Sequence, residues 1–387
     1  MSIPLAYNLR NLVVRKTTTL MTALGIALTV AVLLAVLGLI NGLRSTLSAS
    51  GDPLHVIVLR KGSTSELTSV FQRTQEQDLK FKAGIARSAK GDPLVSVEII
   101  TLAELTSPSH PNGGNVTVRG MEPAGIEMRR NCQIVQGRWF QAGRRELVVG
   151  KETAKDYPDA NIGHKIRFGK GDWDIVGVFE ANGGAQSSEI WGDVNQVAGD
   201  YNRTDALSVA LVQAADPVIV QALINDINND QRLGMEAASE QEYYARQTQS
   251  GAPMEYTGIF VAIIMAIGSS FAAMNTMYAA VARRAREIGT LRVLGFSRGS
   301  ILISFFLESL LLAVLGGLLG CLLVLPLNLT TTSIGNANIS QTVFSFSVTP
   351  QTMAVGIVFA VFMGTIGGLF PARNASRKEI LTALREV

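Results

Sequence analysis

Cysteine, histidine and charged side chains are all scarce in this chain of 387 residues. It contains two cysteines and three histidines, and charged residues make up 17% of it, below the ~25% usual for soluble domains. Cys132 falls in a polar segment and Cys321 in an apolar run, so we expect no disulfide between them. His55, His110 and His164 are scattered, and we expect each to be an ordinary surface or loop residue. No cysteine or histidine spacing predicts a metal site.

Sequence motifs of an energy-converting centre are missing as well. Gly150-Lys151-Glu152 and Gly169-Lys170-Gly171 lack both the leading glycine and the hydroxyl residue of a phosphate loop. No His-Glu-x-x-His zinc motif occurs. Nothing in the sequence therefore argues for an enzyme or a catalytic residue. If the protein moves something against a gradient, a partner must supply the energy.

Four long apolar stretches dominate the rest of the chain, and Glu308 is the one charged residue inside them. They cover residues 17–43, 257–282, 300–328 and 345–372. Each exceeds the ~20 residues that a helix needs to cross a bilayer. We predict an α-helical membrane protein with four transmembrane helices, plus an α+β extracytoplasmic domain inserted between the first and second spans. The predicted divisions are 1–43, 44–255 and 256–387.

Charge is distributed unevenly around these stretches. The N-terminus, the 283–299 loop and the C-terminal tail hold twelve basic and three acidic residues, which gives 12 − 3 = +9. The remainder without Glu308 holds 22 basic and 27 acidic residues, or 22 − 27 = −5. The positive-inside rule then places both termini and the loop in the cytoplasm, and 44–255 outside it. The first stretch is longer than the apolar core of a signal peptide, so we expect a retained anchor.

Shorter patterns suggest how the membrane part is built. Residues 4–16 have helical spacing with a basic face, which predicts a helix on the membrane surface; the alternative is a basic anchor that only sets topology. Three small-residue pairs favour close helix packing, and we take them as support for packing against a second copy. These pairs are Gly38 with Gly42, Gly316 with Gly320, and Gly364 with Gly368. We expect 329–344 to be a short outer loop.

The polar segment mixes both kinds of secondary structure. Apolar spacing predicts helices over 63–89 and 217–228. Strand patterns occur at 55–59, 95–101, 116–119, 146–149, 165–168, 173–179 and 207–212. We expect an α+β domain with two lobes that divide near 120–145.

Residues 282–299 carry the strongest local signal. Ile288, Leu291 and Leu294 form an apolar stripe at helical spacing, and arginines occupy the other faces. Gly295 is well placed to end a helix over 283–296, and Ser297 to cap the next one. Such a helix beside two spans could transmit a push from a soluble protein. The alternative is a basic loop that touches anionic lipid.

Glu308 lies about two turns into the third span, ~12 Å at 1.5 Å per residue. A carboxylate there costs ~2.5–3.5 kcal/mol, so we expect a compensating partner. An arginine of the 283–298 loop, a hydroxyl such as Ser304, or water at a dimer seam could serve. Two interpretations stay open: a satisfied structural pair, or a switch or substrate contact.

Several motifs together have the pattern of one known family. The most specific reads Arg284-x-Arg286-Glu287-Ile288-Gly289-x-Leu291-Arg292-x-Leu294-Gly295, followed by Glu308-Ser-Leu-Leu-Leu. The chain ends with Gly368-x-x-Pro371-Ala372-Arg373-x-Ala375-Ser376-Arg377 and Ala383-Leu384-Arg385. The outer segment contributes Glu146-Leu147-Val148-Val149-Gly150 and Val176-Gly177-Val178-Phe179. Over nearly the whole chain, these sequences closely resemble the FtsX/MacB-type permeases of ABC transporters.

This resemblance implies a fold and a set of partners. It implies a homodimer (or a paired heterodimer) of four-span subunits. Two separate cytoplasmic ATPases would bind the ATP and Mg²⁺, and no cofactor is expected on this chain. The coupling helix against the ATPase would comprise Arg283, Arg284, Arg286, Glu287, Ile288, Gly289, Leu291, Arg292, Leu294 and Gly295. The cytoplasmic tail would contribute Pro371, Arg373, Arg377 and Arg385, although Glu379-Ile380 stands where family tails often read Pro-Ile.

The implied function is mechanotransmission in the inner membrane of a bacterium. The ATPases would drive movements of the extracytoplasmic domain, for efflux or export of an amphipathic substrate with a periplasmic adaptor and an outer-membrane channel. No nucleic-acid partner is expected. One alternative is an FtsX-like signal transmitter that controls a cell-wall hydrolase, and another is lipoprotein extraction of the LolC/LolE type. MacB itself carries its ATPase on the same chain, so we expect this chain to be closer to stand-alone permeases.

Overall fold

The computed structural model describes residues 10, 13–14, 16–108, 110–249, 252–336 and 339–377. The chain forms two compact units. The helical unit comprises Met1–Gly42, Gly251–Thr330 and Phe346–Val387, and the sheet unit comprises Leu43–Ser250 and Thr331–Ser345. These bounds lie within a few residues of the predicted divisions, except that Thr331–Ser345 belongs to the sheet unit. The predicted surface helix over 4–16 lies largely outside the described residues.

Among the residues that the structure describes, four helices are long and apolar enough to cross a membrane, as the sequence predicts. They are α1 (Lys16–Ser50), α8 (Ala252–Arg283), α10 (Arg298–Val324) and α11 (Pro350–Arg377). An 18-residue window in each of them has a mean hydropathy between 2.0 and 2.8. With 35 residues, α1 is ~52 Å long at 1.5 Å per residue, which exceeds the ~30 Å of a bilayer's hydrocarbon core. Its last turns can therefore project beyond the membrane.

The glycine pairs bring helices of the same chain together. A Cβ at Gly316 would lie 2.8 Å from the Cβ of Ile26 in α1, so only glycine permits this approach. Gly320 likewise faces Ala27 and Val30, Gly364 faces Ala313, and Gly368 faces Ser309. In the remaining pair, Gly38 with Gly42, Gly38 approaches Val348, and Gly42 is buried in α1. These glycines therefore pack the subunit itself, and our interpretation of them as support for a second copy was wrong.

The sheet unit is α+β, as predicted. Its strands are β1 (His55–Arg60), β2 (Phe71–Gln72), β3 (Val95–Ser107), β4 (His110–Met121), β5 (Cys132–Gly137), β6 (Glu146–Gly150), β7 (Lys165–Phe168), β8 (Gly171–Ala181), β9 (Glu189–Asp193), β10 (Ala206–Leu207), β11 (Val209–Gln213), β12 (Met235–Ser239), β13 (Thr331–Asn336) and β14 (Ile339–Ser345). Its helices are α2 (Gln75–Lys80), α3 (Pro123–Met128), α4 (Lys151–Asp156), α5 (Val194–Asp200), α6 (Val220–Asn229) and α7 (Glu240–Gln249).

One main sheet runs through the unit in the order β12-β1-β11-β3-β4-β9-β6-β8-β5, with β7 paired to β8. The long strand β3 joins its two halves. Residues 95–98 pair with β11, and residues 99–107 pair with β4. The backbone pairing is therefore continuous through β3, and the division into two lobes near 120–145 stays a prediction.

Two further sequence predictions differ from the structure. The helix expected over 63–89 is confined to α2, because Ser and Thr side chains bond to the backbone there: Ser69 Oγ accepts from the Arg60 amide at 2.9 Å, and Thr68 Oγ1 donates to the Ser65 carbonyl at 3.2 Å. Such local bonds compete with a helix. The loop expected over 329–344 contains the hairpin of β13 and β14, whose residues Val343 and Phe344 are buried.

The histidines also separate into different classes. His55 is 2% exposed, and its Nδ1 lies 2.8 Å from Oε2 of Glu240, so the expectation of an ordinary surface or loop residue was wrong there. That oxygen also accepts a bond from the Asp52 amide at 2.9 Å. His164 is exposed and precedes β7, as expected. The side chain of His110 lies outside the described residues. Cys132 and Cys321 are free and buried.

A buried ionic network stabilises the centre of the sheet unit. Arg119 on β4 donates to Glu66, Glu98 and Glu189 at 2.7–3.1 Å, and Arg129 donates to Glu98 at 2.6 and 2.9 Å. Burial alone would raise the pKa of Glu98, but the charges of Arg129 and Arg119 outweigh it and hold that pKa below its ordinary value of 4.5. Removing one partner of such a network leaves a buried charge without compensation.

Acid should destabilise the sheet unit through Glu98. Because its pKa is lower in the folded than in the unfolded chain, its contribution is present above pH ~4.5 and is lost as the pH falls below that value. All three tryptophans, Trp139, Trp173 and Trp191, lie in this unit, so tryptophan fluorescence can follow its denaturation by urea. We expect Glu98→Gln to flatten the dependence of the unfolding midpoint on pH. The exposed Glu127→Gln is the matched control, and equal pH slopes for the two variants would contradict the prediction.

Candidate functional site

A short helix, α9 (Ala285–Val293), connects the long helices α8 and α10. It is shorter than the predicted range of 283–296: Arg283 is the last residue of α8, and Arg284 forms the break between the two helices. The backbone of Arg284 has φ −104° and ψ 17°, outside the helical values, while its carbonyl accepts from the Ile288 amide at 3.0 Å. Thus α9 begins immediately after α8 but is a separate helix, because the backbone at Arg284 is not helical.

The other end of α9 is set by local sequence, as predicted. Gly295 has φ +92°, a left-handed conformation that glycine adopts without strain. The Phe296 amide donates to the Leu291 carbonyl at 3.1 Å, and the Gly295 amide to that of Arg292 at 3.2 Å. These two bonds form a Schellman motif. Ser297 caps α10, because its Oγ accepts from the Ser300 amide at 3.1 Å.

The segment between α9 and α10 also matches a hydrolase sequence motif. Gly295-Phe296-Ser297-Arg298-Gly299 matches the letters Gly-x-Ser-x-Gly, a match that our sequence analysis missed. A nucleophile elbow needs a strand before the serine, whereas here α9 precedes it. Ser297 therefore acts as a helix cap in this structure.

An ion pair fixes α9 to the helical unit. Nη1 of Arg284 donates to Oε2 of Glu308 at 2.8 Å, and Nε donates to Oε2 of Glu287 at 2.9 Å. The guanidinium also lies over the Phe305 ring, 4.9 Å from its centroid. The side chains of Arg284 and Glu308 are only 3% and 6% exposed. The expected arginine partner of Glu308 is thereby confirmed, and it comes from the break between α8 and α9.

The two sides of α9 differ in chemistry. Ala285, Ile288 and Gly289 are buried against the helical unit, and Leu291 and Arg292 are half-buried. The exposed face of α9 carries Arg286, Glu287, Thr290 and Val293, and the exposed Arg283 and Leu294 flank the helix. Val293 and Leu294 are 64% and 65% exposed, so the predicted placement of Leu294 in one stripe with Ile288 was wrong. The exposed face is a small apolar spot bordered by arginine.

Arg292 has a local structural role as well. Its Nη1 donates to the Phe296 carbonyl at 3.3 Å, just beyond the end of α9. It therefore stabilises the turn into α10, whereas Arg286 is exposed in the first turn of α9. Of the four predicted tail residues, Pro371 is buried inside α11. Arg377 is exposed in its last turn, and Arg373 is exposed one turn earlier. Arg385 lies outside the described residues.

Two family models match the chain. The MacB-like periplasmic core domain matches residues 19–230, and the FtsX-like permease C-terminal domain matches residues 259–380. The first begins within α1 and ends in the sheet unit. The second contains α9, α10 and α11 in full.

Known proteins are similar over different lengths. The uncharacterized ABC transporter permease YknZ of Bacillus subtilis is 24% identical over 404 aligned positions, which cover 97% of both chains. The macrolide export ATP-binding/permease protein MacB of Pasteurella multocida is 27% identical over 297 positions, 70% of this chain and 43% of that protein. The chain thus spans less than half of MacB. The solved extracellular domain of YknZ matches with a TM-score of 0.36 at 16% identity, over 48% of this chain and 99% of that domain.

The Arg284–Glu308 pair should show strong energetic coupling. We expect Arg284→Ala to lower the free energy of unfolding by ~3–5 kcal/mol, because it leaves the Glu308 carboxylate buried and unpaired. The double variant Arg284→Ala/Glu308→Ala should lose less than the sum of the single variants. Thermal melting of the purified protein in mild detergent measures the cycle, with exposed Arg286→Ala as the control. Additive losses would contradict the pairing.

Proposed function

This chain belongs to the family of ABC transporter permeases with a MacB-like periplasmic core domain and an FtsX-like permease domain, and from this premise we propose that it couples a separate cytoplasmic ATPase to movements of its sheet unit. In this proposal α9 is the coupling helix. ATP hydrolysis occurs on the partner, which holds ATP and Mg²⁺, and this chain transmits the movement. The substrate class we propose is an amphipathic molecule for efflux or export.

The construction of α9 is the observation that carries the proposal. A helix that receives a push must be fixed to the helices that it moves and must present a free face to the partner. The Arg284–Glu308 pair and the buried Ile288 supply the first property. The exposed Arg286, Val293 and Leu294 supply the second, because apolar side chains bordered by arginine suit a protein interface.

This geometry favours coupling over simple lipid contact. An anionic lipid surface would be recognised by mobile basic side chains without a fixed backbone. Here the Schellman motif, the Ser297 cap and the buried ion pair fix both ends of α9. The position of Glu308 in that pair also favours its structural interpretation, since its carboxylate bonds to Arg284 and does not face an open path.

The proposed arrangement in the cell follows from charge. Both termini and α9 lie in the cytoplasm, and residues 44–255 lie outside the inner membrane. Two copies of the permease, as a homodimer, bind two ATPase chains. The apolar helices offer little polar lining, so the substrate is handled outside the membrane or at its outer leaflet. The name of MacB, a macrolide export protein, supports export. A periplasmic adaptor and an outer-membrane channel complete the proposed complex.

A second candidate function keeps the same membrane machinery. An FtsX-like signal transmitter would use the sheet unit to activate a cell-wall hydrolase, and a LolC/LolE-like complex would extract lipoproteins. The match of the periplasmic core model over 19–230 favours the MacB-like function. Affinity purification from native membranes in mild detergent, followed by mass spectrometry, distinguishes them. Recovery of an ATPase with an adaptor supports export, recovery of an ATPase with a hydrolase supports signalling, and recovery of no ATPase contradicts both.

Changes on the exposed face of α9 should uncouple the complex. We expect Arg286→Glu with Leu294→Ala to reduce substrate-stimulated ATP hydrolysis by the reconstituted complex at least about tenfold, the equivalent of ~1.4 kcal/mol of lost interaction. Adding Arg292→Glu should deepen the loss, although it also removes the bond to Phe296. Membrane insertion and melting temperature should not change for the first pair.

The matched control is Arg167→Glu, an exposed arginine on β7 of the sheet unit. It makes the same charge change away from α9. Normal export and ATP hydrolysis by the Arg286→Glu/Leu294→Ala variant would refute the coupling role of this face.

A further inference from the structure

A one-turn 3₁₀ helix, Ala185–Ser188, holds the end of α1 inside the sheet unit. We call it the junction turn. The Ala185 amide donates to Oγ of Ser50 at 2.8 Å, and Nε2 of Gln186 donates to the Ser50 carbonyl at 3.2 Å. Ser50 is the last residue of α1 and is 4% exposed. The same serine hydroxyl donates to the Thr46 carbonyl one turn earlier, at 2.9 Å. The junction turn thus continues the hydrogen bonding of α1.

The junction turn also holds the hairpin of β13 and β14. Oγ of Ser188 accepts from the Val343 amide at 3.0 Å, and both groups are buried. The neighbouring Phe344 is 3% exposed. In the chain, this hairpin follows α10 and precedes α11. Three of the four long apolar helices are therefore connected covalently to segments that bond to one turn.

The other side of the junction turn is fixed to the core of the sheet unit. A Cβ at Gly150, the last residue of β6, would collide with the Ser187 carbonyl oxygen. Oγ of Ser187 accepts from the Ala181 amide at 2.9 Å. Glu189, the residue directly after the turn, accepts two hydrogen bonds from Arg119 at 2.8 Å each. The turn cannot shift unless β6 and the buried ionic network shift with it.

We propose that the junction turn passes movement of α1 and of the hairpin to the sheet, with Ser50 and Ser188 as positioning residues. This inference rests on the proposed function, since it assumes that ATP hydrolysis moves the helices. Buried hydrogen bonds between tightly packed groups keep their geometry, and therefore a displacement of Ser50 or Val343 must displace the turn. A contact chain alone does not establish coupling, and so the test must measure movement.

The test uses the full chain with its ATPase in nanodiscs. Spin labels at Lys165→Cys and Lys16→Cys, both exposed positions, report the distance between the sheet unit and the start of α1 with and without ATP; the native cysteines are buried. The variant Ser50→Ala/Ser188→Ala removes the two serine hydroxyls that accept from the Ala185 and Val343 amides. Ser208→Ala is the matched control, because Oγ of Ser208 accepts from the Ile100 amide at 3.1 Å in an equally buried site of the sheet unit.

We expect the ATP-driven distance change of the double variant to fall below roughly a third of the wild-type value, while ATP hydrolysis stays within about twofold. Ser208→Ala should move like the wild type. A double variant that moves like the wild type, or a control that loses movement equally, overturns the inference.

A wild-type protein that does not move with ATP contradicts the proposed function itself and removes the inference with it. Gly150→Ala provides a second perturbation of the turn by displacement of Ser187. It should reduce the movement as the double variant does, and an unchanged response in both variants would again overturn the inference.

Discussion

The cost of a buried charge is the constraint on which the arrangement of the helical unit depends. Glu308 lies inside an apolar helix, where an ionised carboxylate is unfavourable without a partner. Arg284 satisfies it at 2.8 Å only because the chain breaks between α8 and α9 and turns that guanidinium inward. The same break gives α9 its direction and leaves Arg286 and Leu294 facing outward. One electrostatic requirement therefore positions the surface that we assign to the ATPase.

The sheet unit follows a similar rule with more partners. Arg119 and Arg129 neutralise part of the charge of the buried Glu98 and of the half-buried Glu66 and Glu189. Their planar guanidinium groups fix the directions of β3, β4 and β9. Burial of so many charges is weak evidence for stability, because similar packing could be achieved with apolar residues. Its consequence is rigidity, since each shift of one strand breaks a charged bond. A rigid sheet suits the proposed movement of this unit as one body.

Local signals were enough to predict how α9 ends and α10 begins. Gly295 and Ser297 act through their own backbone and hydroxyl, so their roles can be predicted from neighbouring residues. The need of Glu308 for a partner followed from the cost of burial, but the choice of Arg284 did not, because it depends on the angle at which α9 leaves α8. His55 was misjudged for the same reason: its partner, Glu240, is 185 residues away in sequence. The glycine pairs correctly predicted close helix packing. We had expected the neighbouring helix to belong to a second copy, whereas it belongs to the same chain.

The measurement that tests the coupling account most directly is photo-crosslinking in native membranes, with benzoylphenylalanine in place of Leu294. The account predicts a covalent product with an ABC ATPase, which a label at the exposed Val135 of the sheet unit should not give. Crosslinks from position 294 to lipid alone, in cells where the ATPase is present, would contradict the account and favour a basic loop at the membrane surface.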